Sequence, residues 1–140
     1  MRLLQSLMKG KPVPPKKEEE VLALNISKSY DPESNNVSVA LQESWVLSPH
    51  RASNVKFIVG FTLTPDKLAR RIVGVVKASD NKWNPENPVL AEEKKRKKPR
   101  FTFNPIPLDK EYSCLISMEF AKDRCSNPVR YFPLSKFIKI

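Results

Sequence analysis

One histidine, His50, and two cysteines, Cys114 and Cys125, are all that this 140-residue chain offers of the side chains that most often hold metals or act as activated nucleophiles. A single imidazole gives no Cys–His or Ser–His–Asp set beyond coincidence. The two thiols form no CxxC pattern and do not make the dense disulfide framework of a small secreted domain. They read as thiols in or near the core, and no metal or cofactor is expected. Asp109, Glu111 and Glu119 make no paired-carboxylate arrangement for acid–base work, so an enzyme is the last-ranked class. No apolar run approaches the roughly 20 residues of a membrane-spanning helix. Met1 to Met8 is too short and too mixed for a signal peptide, although Leu3, Leu4, Leu7 and Met8 fall at helical spacing. A cytoplasmic protein with no membrane partner is the expectation. There is no internal repeat.

What the chain does have is positive charge. Lys and Arg outnumber Asp and Glu by 25 to 15, a formal net charge of +10, which favours a polyanionic partner. Small basic proteins without such a partner are common, so charge alone carries modest weight. The last third adds a second signal. Arg100-Phe-Thr-Phe103, Cys114-Leu-Ile-Ser-Met-Glu-Phe120 and Asn127-Pro-Val-Arg-Tyr131 interleave aromatic, Arg and Asn side chains on short β-type runs. Rings that stack on bases beside cations that meet phosphate suit a nucleic-acid partner, DNA or RNA.

Residues 1–20 read as a flexible tether, since Lys11-Pro-Val-Pro-Pro-Lys-Lys17 and Glu18 to Glu20 have no apolar period. Residues 21–140 are expected to form a single domain. Val21 to Ser29 alternates, with Leu22, Leu24 and Ile26 opposite Asn25 and Ser27, which predicts a half-buried strand. Val37, Leu41 and Trp45 recur every four residues after an Asn cap and predict a short helix. Ser48-Pro49 is a second helix start, with Ser as cap and Pro at the first helical position. Val55 to Leu63 and Arg71 to Ala78 are strands around a Thr64-Pro-Asp66 turn, each with an interior glycine, Gly60 and Gly74. Such glycines mark a bulge, a bend or the close approach of another backbone, and they favour a coiled barrel over a flat sheet. Ser79 to Pro99 is a long loop, and strands resume over Arg100 to Ile106, Ser113 to Phe120 and Arg130 to Ile138. The fold class predicted is α+β: a small bent β-barrel, antiparallel or mixed, of five or six strands with one or two short helices.

In order, Leu24-Asn-Ile-Ser-Lys-Ser-Tyr30, Ser44-Trp-Val-Leu-Ser-Pro-His-Arg-Ala52, Val55-Lys-Phe-Ile-Val-Gly60, Arg71-Ile-Val-Gly-Val-Val-Lys77, Trp83, Arg100-Phe-Thr-Phe103 and Asn127-Pro-Val-Arg-Tyr131 carry a resemblance over about residues 21–137. The chain resembles small bacterial and phage domains of the PUA-like superfamily, related to EVE and YTH domains. The resemblance implies a barrel with a pocket on one side that binds RNA or DNA, in some relatives by caging an extruded, modified base. The family-type tryptophans map onto Trp45 and Trp83. The chain departs from the pattern in a longer first hairpin, Pro65 to Arg70, and in Asn104-Pro105 where a glycine is usual.

Candidate residues follow from that implied pocket. Trp45 serves equally well as a stacking wall or as the apolar anchor of its helix. Trp83, in a polar loop with little to cover it, favours the wall. Ser48, Arg51 and Asn54 follow Trp45 closely and could read a base edge. Lys94, Lys95, Arg96, Lys97, Lys98 and Arg100 could neutralise phosphates, and Lys67, Arg70 and Arg71 form a second cluster, with Arg130 in the closing strand. Each run could equally be a solvated surface. Tyr131 and Phe132 point to opposite sides, one in and one out. Asn127 reads as a turn residue, and Phe101 and Phe103 as core. The alternative function is a protein-interaction or inhibitor module that turns the same basic face to an acidic protein.

Overall fold

The computed structural model describes residues 19–121 and 127–138, which leaves Cys125 and most of the proposed tether outside the described residues. Strands β1 (Glu20–Asn25), β2 (Ile58–Leu63), β3 (Ala69–Ala78), β6 (Pro105–Pro107), β7 (Glu119–Ala121) and β8 (Val129–Pro133) form one six-stranded sheet. A separate ribbon pairs β4 (Asn84–Pro85) with β5 (Phe101–Thr102). Three short helices, α1 (Val37–Leu41), α2 (Pro49–Ala52) and α3 (Pro88–Glu93), complete the main elements. The main sheet runs β6-β3-β2-β1-β8, and β7 pairs with the other end of β3. It is mixed: β1 and β2 are parallel, and the other pairings are antiparallel. Parallel neighbours need a crossover, and the one here carries α1 and α2. Among the described residues β6 and β8 do not pair, so the sheet is open rather than closed into a barrel. The class is α+β, with more helices than the one or two expected.

β1 is a central strand, flanked by β2 and β8. The half-buried strand expected from its alternation is therefore buried on both faces. Leu22, Leu24 and Ile26 enter one core with Leu41, Trp45, Trp83 and Phe103. Val21 and Ala23 enter a second with Phe57, Phe61, Phe132 and Phe137. The polar residues of the alternation, Asn25 and Ser27, come only at the strand's end, so they say nothing about the face that Val21 and Ala23 occupy.

Of the glycine signal, the bulge holds. Gly60 pairs with Gly74, Phe61 pairs with Ile72, and Val73 is the extra residue of a bulge between them. The turn at Thr64 also forms: its hydroxyl donates to Asp66 Oδ1 at 2.6 Å, and its amide donates to the Ala69 carbonyl at 2.9 Å. Ser48 caps α2 by accepting the Arg51 amide at 3.4 Å, with Pro49 next, as the sequence predicts. Asn36 stands at the start of α1 but makes no cap bond. Its side chain instead closes the preceding loop, donating to the Ser29 carbonyl and accepting the Asp31 amide.

Other expectations are corrected. The Ser79–Pro99 excursion is not irregular, because it contains a 3₁₀ turn, β4 and α3, which Asn87 caps. Phe101 to Pro107 is two short strands rather than one. Ser113–Leu115 is a 3₁₀ turn that buries Leu115 and leaves Cys114 exposed, so this thiol is not in the core. The closing strand stops at Pro133 and gives way to a 3₁₀ turn at Leu134–Lys136. Among the described residues no helix is long and apolar enough to cross a membrane.

Candidate functional site

Both tryptophans belong to the first core. Trp45 lies beyond α1 and bridges to Phe101 by reciprocal backbone hydrogen bonds of 2.8 and 2.9 Å. Its ring is 6% exposed, and its indole N–H donates to the Leu41 carbonyl at 3.1 Å. Trp83 is 9% exposed and lies against Phe103, with ring centroids 4.4 Å apart. Its indole nitrogen is buried without a hydrogen-bond partner. The expectation of an uncovered loop tryptophan is therefore corrected, because β4 folds back onto β5 and Phe103 covers the ring. Neither indole presents a face on which a base could stack.

The Lys94–Arg100 loop is anchored from within. Glu86 has a side chain only 4% exposed, and Arg96 forks onto it at 3.1 and 3.0 Å. Ser44 Oγ donates to the same carboxylate at 2.7 Å, and Arg100 donates to the Ser44 carbonyl at 3.1 Å. The Arg96 hydrogen bond, then that of Ser44, hold the Glu86 carboxyl below its ordinary pKa. Arg96 is thus a structural cation, not the free phosphate contact its run suggested. Lys94, Lys95, Lys97 and Lys98 are exposed around it. They line an open groove of about 290 Å³ with Arg96, Arg100 and Val46.

Val46, 39% exposed, also lines a neighbouring groove of about 350 Å³ with Leu47, Arg51, Arg130 and Tyr131. Arg51 forks onto Glu20 at 3.0 and 2.5 Å, while its guanidinium lies 3.9 Å from the centre of the Tyr131 ring. The Glu20 bond raises the Arg51 pKa. Burial raises that of Tyr131, whose hydroxyl has no hydrogen-bond partner. Arg130 stands 5.0 Å from the Phe132 ring. Phe132 and Tyr131 do point to opposite sides of β8, but both pack, one against each core, so neither is an outward ring. Asn127 closes a local turn by accepting the Val129 amide at 2.9 Å.

The remaining polar candidates serve the fold. Ser48 is committed to its cap, and Asn54 donates to the His50 carbonyl at 2.7 Å. In the β2–β3 hairpin Arg70 is 3% exposed and lies under Phe61, 5.3 Å from its ring, so it is not offered to a phosphate. Arg71 pairs with Glu119 at 2.7 Å, and Lys67 is exposed in the turn.

The structure thus brings together Arg51, Arg130, Arg100 and the four loop lysines, buries Trp45, Trp83 and Arg70, and commits Arg96 to Glu86. Sequence reasoning missed Glu86 and Ser44, whose pairing spans 42 residues. It also missed Val46, an apolar residue with no sequence signal beyond its place after Trp45. Compared with family models, characterised proteins and solved structures, the chain matches none.

Proposed function

We propose that this chain is a non-enzymatic nucleic-acid-binding module that holds phosphates with Lys94, Lys95, Lys97 and Lys98 and with the adjoining Arg100 and Arg130. One observation carries the reading: two cation-lined grooves share Val46, so cations from distant parts of the chain border one continuous open surface. Phosphate contacts of this kind give affinity without sequence information. The bond of Arg96 to the buried Glu86 fixes the loop, so the lysines need less ordering on binding. The PUA-like assignment belongs to the same proposal, supported by the order of segments quoted above. Trp45 and Trp83 have no part in it as stacking walls, because both rings are buried.

Fluorescence anisotropy with labelled DNA and RNA oligonucleotides, at about 50 and 200 mM salt, tests this reading. Four phosphate contacts should cost roughly 50-fold in affinity across that range for a single strand. Absence of binding at the lower salt overturns the reading and points to an acidic protein as the occupant of the basic face.

A further inference from the structure

The basic loop has a third groove on its far side. Arg96, Lys97, Lys98 and Arg100 line it, as they do the first, together with the exposed Pro85 and Pro88 and the half-buried Phe101. At about 410 Å³ it is larger than either neighbour. Cations and apolar side chains share all three grooves: Pro85 and Phe101 with Lys97 and Lys98, Val46 with the four lysines, and Val46 and Leu47 with Arg130.

We propose that the ligand of this face is a single strand of nucleic acid, with phosphates on the Lys94–Lys98 run and bases in the flanking hollows. The inference rests on the nucleic-acid reading and narrows it. Charge complementarity fixes a polyanion. Glu86, the one acidic group lining these hollows, is held by Arg96 and Ser44 and leaves no free negative charge against the strand. Phosphate contacts alone would hold a duplex as well as a single strand, so the choice rests on base contacts, and reading a duplex's bases needs an element that enters a groove. The one helix beside the cations, α3, is six residues long and ends at Glu93, before the first lysine. A duplex would also keep its base faces stacked, leaving Pro85, Phe101, Val46 and Leu47 without partners. An unpaired strand bends into hollows and offers each base's flat face to apolar surface, a contact tolerant of sequence. The Pro85–Phe101 hollow would seat one base with its phosphate on Lys97, Lys98 or Arg100. The Val46–Leu47 hollow would seat another beside Arg51 and Tyr131.

The test compares one labelled oligonucleotide as a single strand and annealed to its complement, bound to the full chain at low salt. The single strand should bind about tenfold or more tightly. The charge-neutral double variant Val46→Ser/Pro85→Ser, at two exposed positions, should remove most of that preference while leaving duplex affinity and salt dependence as they were. Hydrogen exchange on the unmodified chain gives a second measure that needs no variant: the single strand should protect 46–47 and 85–101. Equal affinity for the two forms, or protection confined to 94–98, would overturn the single-strand inference and leave a purely electrostatic binder. Failure of both forms to bind would overturn the nucleic-acid reading itself.

Discussion

Gly60 and Gly74 face each other across β2 and β3, and α1 rests on the bare backbone they share. A Cβ on Gly74 would come within 2.5 Å of Val37 Cγ1. One on Gly60 would meet Ile26 Cδ1 at 3.1 Å and Leu41 Cδ2 at 3.4 Å. Val37 and Leu41 are the two ends of α1, so the glycine pair sets how closely the helix can approach the sheet.

The two contacts differ in kind, which predicts unequal substitutions. Gly74→Ala drives a methyl into a β-branched side chain with a stiff χ1 and should cost about 2 kcal/mol. Gly60→Ala meets the far ends of flexible side chains, and the better strand propensity of Ala offsets part of the strain, so its cost should stay below about 1 kcal/mol. Urea unfolding of both variants checks the order. Equal costs would mean that α1 is not seated on this pair.

These glycines also show what the sequence made legible. A glycine inside a β-branched run is a local anomaly; of the readings it suggests the bulge holds, and what comes close is the side chains of Ile26, Val37 and Leu41 rather than another backbone. Ser48-Pro49 was legible for the same reason, since a cap needs only neighbours in the chain. β1 was not, because burial of Val21 and Ala23 depends on which strands flank it. Trp83 sits among Asn, Lys and Pro, and its cover, Phe103, arrives only when β4 turns back onto β5. Arg96 looks identical to its lysine neighbours until Glu86, ten residues earlier, is placed beneath it.

That buried carboxylate makes stability depend on pH in a defined sense. Glu86 titrates below its ordinary value of 4.5 because Arg96 and Ser44 bond its charged form. Its contribution is therefore complete above that value and is lost as pH falls from there through the lower folded pKa. Glu86→Gln should destabilise the chain by about 2 kcal/mol at neutral pH, since it removes the buried, hydrogen-bonded charge that holds Arg96. Thermal melts from pH 7 to 3 should show a shallower acid slope in the variant. Some slope should remain, because Asp66 is also held low, first by the Thr64 hydroxyl and then by the Leu68 amide. An unchanged slope would show that Glu86 does not carry the acid sensitivity.

Tyr131 makes the opposite case. Its hydroxyl is buried with no partner, so folding removes it from water without a replacement bond. Tyr131→Phe should leave stability unchanged or raise it by up to about 1 kcal/mol, while keeping the ring that Arg51 covers. Tyr131→Ala should cost several times that, through lost packing against the first core. A clear loss of stability in the Phe variant would mean that the hydroxyl has a partner after all.

The lysines of the α3–β5 loop allow the sharpest separation of fold from binding. Lys94, Lys95, Lys97 and Lys98 are exposed, whereas Arg96 among them is pinned to Glu86. Replacing the four with Gln should lower the slope of log affinity against log salt by about 3 for a single strand, with stability nearly unchanged. Lys67→Gln, at an equally exposed cation in the β2–β3 turn, should leave that slope alone. Arg96→Gln should do the reverse of the lysine set: it leaves Glu86 buried without its charged partner, so the first effect is a lower melting temperature, with weaker binding following from a loosened loop. A salt slope that survives the quadruple change would move the phosphate contacts elsewhere on the molecule, to Arg130 first, because it borders the adjoining groove.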